Sequence, residues 1–506
     1  MRAENRSTAL LERPAVTDLD ADALFKEARR RRRRRWVIGS CLALLAAAVA
    51  AVVGLQSSGP IHAEPPARPT PQITTAAPRP LVNAHALRGR GRLAFVSSGS
   101  LWVLDGGAKT LGRVAMPSGL VPISPAFSPD GRWLAFQTGS ASQMEGSLWI
   151  ARSNGSGAHR VAGLVLGDAF GWSPRADVYA VGTGPLSKKA PYDQPTTVRL
   201  VSPNGALRTL ATAPAIIGAA WSPDGSSLAV STLNRTFVPT LASYSVATDR
   251  RTVWTGAPAA RQDFIVPAGW WTGWGVVFTV IDKGAVPDGE GSFEDAALYS
   301  LSRPGATPHH LGETLTNDSD GAPSATTTGL LTFVSDTGDA RIPWNGKKVE
   351  VCSLRSMTCS AVPTPPGDVT EDPVWSPSGS TLAYVAAPSL STSDFLTSTV
   401  SSWYDSHTLE LYDPSSLSAS PVGSAPGATV PIWSSDGTGL LYAAHDGLWL
   451  LTIPGSEPVE VSSPLYAQST PPSFYGEIDW SQQFSWSRGS APSQCYVVCD
   501  PQLAGD

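Results

Sequence analysis

The strongest constraint on this chain is a short stretch that keeps returning: an aromatic residue, a Ser-Pro-Asp-Gly turn, then an alternating apolar run. It reads Phe127-Ser128-Pro129-Asp130-Gly131 before Trp133-Leu134-Ala135-Phe136, and Trp221-Ser222-Pro223-Asp224-Gly225 before Leu228-Ala229-Val230. A third copy is Trp375-Ser376-Pro377-Ser378-Gly379 before Leu382-Ala383-Tyr384. Reduced copies start at Trp172, Trp271, Trp433 and Trp480, with a faint one near Thr326. Successive starts lie 45 to 58 residues apart, the interval of four-stranded propeller blades.

Proline presets φ at the second position of a tight turn, and Asp-Gly supplies a polar cap and a position with φ > 0. The aromatic residue ends one strand, and the period-2 run after the turn is the next. A third strand follows, such as Leu148-Trp149-Ile150 or Leu298-Tyr299-Ser300, then a fourth such as His159-Arg160-Val161. Such a sheet has two apolar faces and cannot bury them alone, whereas stacking sheets around a ring covers both. The fold class is therefore all-β: a β-propeller of about eight four-stranded blades, or seven if the unit near Thr326 is an insertion.

These motifs resemble the TolB-type propeller repeat, a repeat also related to the propellers of prolyl-oligopeptidase-type peptidases. The resemblance covers residues 89–490 and implies a fold, while propellers as a class serve many functions. It implies no TolB partner set, because no small α/β domain precedes the ring. It brings no peptidase activity, because no α/β catalytic domain follows.

The first blade lacks its aromatic-Ser start. Arg92-Leu93-Ala94-Phe95-Val96 and Leu101-Trp102-Val103 are its second and third strands, and the missing piece is expected from the other end of the chain, at Ile478-Asp479-Trp480-Ser481. The C-terminal segment would close the ring non-covalently and remove its open edges.

Ahead of the ring, residues 1–35 read as a basic cytoplasmic tail ending in the run Arg29 to Arg35. Residues 36–55, opening on Trp36, are apolar and uncharged, long enough for one transmembrane helix. Arginines on its N-terminal flank place that side in the cytoplasm, and Trp36 suits the interface. A cleaved signal peptide would have a shorter leader and a small-residue cleavage site, so a retained single-pass anchor in the plasma membrane is expected. Residues 56–88 are a Pro-rich linker, the propeller is extracytoplasmic, and residues 491–506 form a C-terminal tail. Eleven of the 37 Lys/Arg and six of the 42 Asp/Glu lie in the first 35 residues, which leaves the rest at net −10. That acidity argues against a nucleic-acid partner.

Four cysteines lie beyond the span. Cys352 and Cys359 flank a hairpin turn and Cys495 and Cys499 flank Tyr-Val-Val, so two local disulfides in an oxidising compartment are expected. The pairs sit on distant units without two-residue spacing, which disfavours a four-thiolate metal site. No Gly-x-Ser-x-Gly elbow, His-Glu-x-x-His helix or phosphate-cradling loop occurs, and the acidic stretch Asp288 to Asp295 lacks EF-hand spacing. No catalytic residue, cofactor or metal is assigned. The interaction candidates are aromatic-bearing insertions: Gly184 to Thr197 with Tyr192, Arg235 to Thr240, Phe264 to Trp274, and Ala387 to His407 with Phe395, Trp403 and Tyr404. Trp270, Trp271 and Trp274 read as inter-blade packing, while Trp403 and Tyr404 fit either a surface anchor or the core. The chain reads as a non-catalytic platform for a protein, peptide or envelope component. The alternatives are an enzyme in the ring's central funnel and a sensor signalling through the tail.

Overall fold

A computed structural model describes residues 78–487 apart from 140–144, 166–168, 185–195, 237, 257–263, 282–295, 315–322, 337–345, 390–402, 404, 423–424, 445–446, 454, 456 and 466–482. Ala76–Asp506 forms one compact unit. Arg29, Arg35, Trp36 and the span expected at 36–55 fall outside the described residues. Among the described residues no helix is long and apolar enough to cross a membrane.

The described strands form eight antiparallel meanders, each running from an inner first strand to an outer fourth. Numbered by their second strands in chain order, the blades have inner strands Phe484–Trp486, Val121–Phe127, Ala169–Trp172, Ala215–Trp221, Phe264–Trp271, Ser324–Ala325, Asp368–Trp375 and Thr429–Trp433. Alternation puts neighbouring residues of a strand on opposite faces, and here both faces are buried. In blade 1, Leu93 and Phe95 pack against blade 8 while Ala94 and Val96 pack against blade 2. Eight apolar clusters result, one at every joint between successive blades including blade 8 against blade 1. An open stack of eight would have only seven joints, so the ring is closed.

The repeat turn sets each blade's geometry. Ser128 donates its N–H to the Trp133 carbonyl at 2.9 Å, and its Oγ accepts the Trp133 N–H at 3.0 Å. Asp130 accepts the Ser128 hydroxyl at 2.6 Å, and Gly131 takes φ +69°. Ser222, Ser376 and Ser434 repeat the pair of bonds to the following strand. At the faint unit Thr326 replaces serine, its Oγ1 accepting the Leu330 N–H at 3.0 Å, which makes this a true blade with a two-residue inner strand. Gly225 is constrained twice. Its φ is +67°, and a Cβ there would stand 2.5 Å from Ser173 Oγ of the preceding blade.

The aromatic residue also reaches backwards around the ring. Trp172 Nε1 donates to the Ala126 carbonyl at 2.9 Å, Trp221 Nε1 to Gly171 at 3.1 Å, and Trp433 Nε1 to Val374 at 3.1 Å. Each acceptor lies on the inner strand of the blade before. Trp375 Nε1 is buried without a partner among the described residues, next to the blade whose inner strand is only Ser324–Ala325.

Closure comes from both chain ends. The C-terminal strand is Phe484–Trp486, paired Leu93 to Trp486 and Phe95 to Phe484. The segment Ile478 to Ser481, expected to do this, lies outside the described residues. Ser487 donates its N–H to the Arg92 carbonyl and accepts the Arg92 N–H on Oγ, both at 2.8 Å. The serine-turn bonds thus recur without a covalent turn. At the other end Leu81–Val82 adds a fifth strand to blade 8, pairing with Ser463 and Ser462. Leu87 is fully buried in the joint of blades 8 and 1. Residues 81–88, assigned to the linker by their composition, are therefore part of the ring.

Candidate functional site

A meander sends its connections alternately to two faces of the ring. The turns joining first to second and third to fourth strands share one face, and each is at most seven residues long. The opposite face carries the connections from second to third strand and from one blade to the next. Every connection of ten or more residues leaves from it: 184–195, 282–295, 337–346, 389–407 and 464–483. The short turns bond to themselves, as Asp224 does to Ser222 and Ser226, and Asp436 to Ser434 and Thr438. The candidate site is therefore the loop face, with the inner strands that lead down from it.

On those inner strands three blades carry a left-handed residue directly before proline: Ser124 at φ +50°, Asp372 at +55° and Val430 at +47°. Each lies where the strand register slips, between Ile123 and Ala126, Glu371 and Val374, or Thr429 and Ile432. A β-branched residue in this region is an outlier that its surroundings must hold in place. For Val430 the holder is on the preceding blade: Asp372 Oδ2 accepts the Val430 N–H at 2.8 Å. Asp372 and its neighbour Glu371 are both buried, at 7% and 2% exposure. Thr370 Oγ1 accepts the Val349 N–H at 2.8 Å, which ties blade 6 to blade 7 at the same level. The recurring x-Pro pair just ahead of the aromatic-Ser motif was the readable sign of these bulges.

The sequence candidates fall in different places. Trp403 is in the core between blades 7 and 8, its Nε1 donating to the Pro388 carbonyl at 2.8 Å. Of its two readings, the surface anchor does not fit this burial. Its ring meets His407 edge-on at 4.3 Å. His407 is fully buried, and burial lowers its pKa to about 3, against the opposing effect of the Ala428 backbone. The imidazole is neutral at ordinary pH and works here as an aromatic spacer. Phe395, Tyr404 and Tyr192 lie outside the described residues. Phe264–Trp271 is the inner strand of blade 5 rather than an insertion. Trp270 packs edge-on against Trp254 at 5.0 Å, and Trp271 and Trp274 pack against the cluster between blades 5 and 6. Arg235 to Thr240 includes a short turn capped by Asn234, which accepts the N–H groups of Thr236 and Val238.

Cys352 and Cys359 face each other across the third and fourth strands of blade 6, with sulfurs at bonding distance and Cα atoms 3.9 Å apart. Cys495 and Cys499 lie outside the described residues. Among the described residues, no group of three or more His, Cys, Asp or Glu side chains could hold a metal ion.

No family model matches the chain, and no curated protein matches it. Solved propeller structures do. A prolyl endopeptidase structure is 14% identical with a TM-score of 0.43, over 75% of this chain and 55% of that one. An oligogalacturonate lyase in complex with manganese is 14% identical with a TM-score of 0.41, over 74% of this chain and 83% of that one. TolB from Acinetobacter baumannii is 14% identical with a TM-score of 0.30, over 67% of this chain and 64% of that one. This chain spans about half the length of the prolyl endopeptidase. The neighbours include both enzymes and TolB, and these likenesses carry no argument about function.

Proposed function

We propose that the protein is a non-catalytic binding platform, held at the outer surface of the plasma membrane by the span at 36–55, whose loop face takes a protein, peptide or envelope component. The observation that supports this reading is the division of labour between the faces. One is tiled by turns of at most seven residues. The other collects every long connection of the described strands. Binding residues concentrate on connections held by a rigid scaffold, and eight blades closed at both ends are such a scaffold. The carboxylate of Asp372, on the inner strand of blade 7, is engaged in holding Val430.

The test is to replace 184–195, 282–295 and 390–402, one at a time, with four-residue glycine-containing turns in the full chain, leaving the buried Trp403 and His407 in place. Crosslinking on intact cells then compares the proteins captured. The reading expects at least one replacement to abolish capture of a specific partner while the melting temperature holds. Capture that survives all three, or loss of capture from turn-face substitutions alone, would overturn it.

A further inference from the structure

The chain is acidic overall, at −5, but the fold sorts its charge by blade. The hairpins joining third to fourth strands stand on the outer rim of the turn face. On six consecutive blades they present exposed cations: Lys109 on blade 1, Arg152 and Arg160 on blade 2, Arg208 on blade 3, with Arg250 and Arg251 on blade 4. Arg303 on blade 5 and Arg355 on blade 6 complete the arc. The same hairpins hold two carboxylates, both already paired: Asp105 with Arg92 at 2.7 Å and Asp249 with Arg208 at 2.6 Å. The other seven cations make no ion pair among the described residues. On blades 7 and 8 the pattern reverses, with Asp413, Glu457 and Glu460 and no Lys or Arg.

Cations set one blade apart along a convex rim do not converge on a small ligand. They match an extended anionic surface, and all but Lys109 are arginines, whose planar fork suits phosphate oxygens. The chain itself supplies a candidate surface. Its expected span ends at 55, and the ring takes up the chain at Leu81 on the outer edge of blade 8. At about 3 Å per residue if polyproline-like, the Pro-rich stretch between them would be long enough to run the height of a blade, roughly 20 Å for six strand residues. We propose that this arc docks the ring, turn face down, on the anionic headgroups of the bilayer that holds the span, so that the loop face points away from the membrane. The proposal rests on the tethered-platform reading and adds an orientation to it.

The test uses the full chain reconstituted in vesicles of phosphatidylcholine with or without phosphatidylglycerol, read by hydrogen exchange. Hairpins 105–110, 246–251 and 302–309 should be protected only in the anionic vesicles, and high salt should remove the protection. Hairpins 414–418 and 453–459 should not change. A cation at an anionic surface is worth roughly fivefold in partition. The combined variant Arg250→Ser, Arg251→Ser, Arg303→Ser and Arg355→Ser should therefore lower the protection at least about tenfold, while Glu457→Gln with Glu460→Gln should not. Equal protection in both lipids overturns the proposal, as does protection transferred to duplex DNA or another soluble polyanion at matched charge. Alkaline carbonate separates the two readings. A chain washed out of neutral vesicles fails the tether alone, and flotation with added anionic vesicles then reads the arc directly. A chain that resists washing but shows no lipid-dependent protection fails the arc alone.

Discussion

The joint between blades 8 and 1 and the joint between blades 3 and 4 do the same job by different means. At blades 3 and 4 the chain is continuous. Trp221 donates to Gly171, Ser222 bonds the strand that follows it, and Gly225 sits against Ser173. At blades 8 and 1 the inner strand of blade 1 arrives from the far end of the chain and has no covalent turn to its own second strand. Ser487 makes both serine bonds to Arg92 across 395 residues of sequence, and Trp486 Nε1 donates to Arg90 at 2.7 Å. The serine bonds recur without the covalent turn, while the indole bond goes to the closing segment instead of the preceding inner strand. A non-covalent joint must recover the ordering entropy of a free strand, and here extra contacts help to offset it. Leu81–Val82 clamps blade 8, and Leu87 fills the joint. Gly106 is bare of a side chain because a Cβ would lie 2.0 Å from the Leu87 carbonyl oxygen.

The largest effect that could break this comparison is removal of the closing strand. Truncation before Phe484 exposes Leu93 and Phe95 and deletes the fully buried Phe484 and the nearly buried Trp486. Each large core deletion costs about 3–5 kcal/mol, so the ring should fail to fold or lose most of its stability in chemical denaturation. An unchanged unfolding midpoint would show that the joint is dispensable. Removing residues up to Val82 should cost only about 1–2 kcal/mol, since the lost pairing is short and Leu81 is 76% exposed.

Single bonds sharpen the comparison further. Ser487→Ala and Ser222→Ala each remove one hydroxyl acceptor from a backbone N–H, worth about 1 kcal/mol. Ser487→Ala should be the more damaging, because no covalent turn holds the strand in place afterwards. Equal losses in denaturant unfolding would mean that the two joints are mechanically alike. The indoles give a matched control. Trp433→Phe loses the bond to Val374, whereas Trp375→Phe loses none, so of two buried indoles truncated alike Trp375→Phe should cost about 1 kcal/mol less.

What could be read in advance follows from where the information sits. The turn signal is local, so the period, the blade count and the packing roles of Trp270 and Trp271 were legible. Closure was legible in kind but displaced by six residues, because Trp480-Ser481 and Trp486-Ser487 carry the same dipeptide and only pairing with Leu93 and Phe95 tells them apart. Residues 81–88 were misassigned because they follow a proline-rich run, and their pairing partners lie near the far end of the chain. Trp403 was ambiguous, since its burial depends on blade 8 contributing Ala425 and Ala428. The basic arc was hidden altogether. Composition averages it with the acidic remainder, and only the topology puts Lys109, Arg250 and Arg355 on one rim.

The smallest expected effect lies on acidification. Asp436, on the turn of blade 8, has its pKa lowered to about 2 from an ordinary 3.8, first by the Ser434 hydroxyl, then by Thr438, with a minor part from Arg90 of the closing segment. Asp224 on blade 4 is shifted in the same direction, first by Ser222, with no such arginine. Both depressions stabilise the folded ring above about pH 4, and that contribution disappears as the pH falls through the folded values. Melting temperatures measured between pH 5 and about 2 should therefore fall less steeply in Asp436→Asn and Asp224→Asn than in the parent. If the closing segment contributes electrostatically, Arg90→Met should make the acid limb of the parent shallower and leave that of Asp436→Asn unchanged. A parallel shift in both backgrounds would place the contribution of Arg90 in its packing against Gly439 and its bond to Thr452 instead.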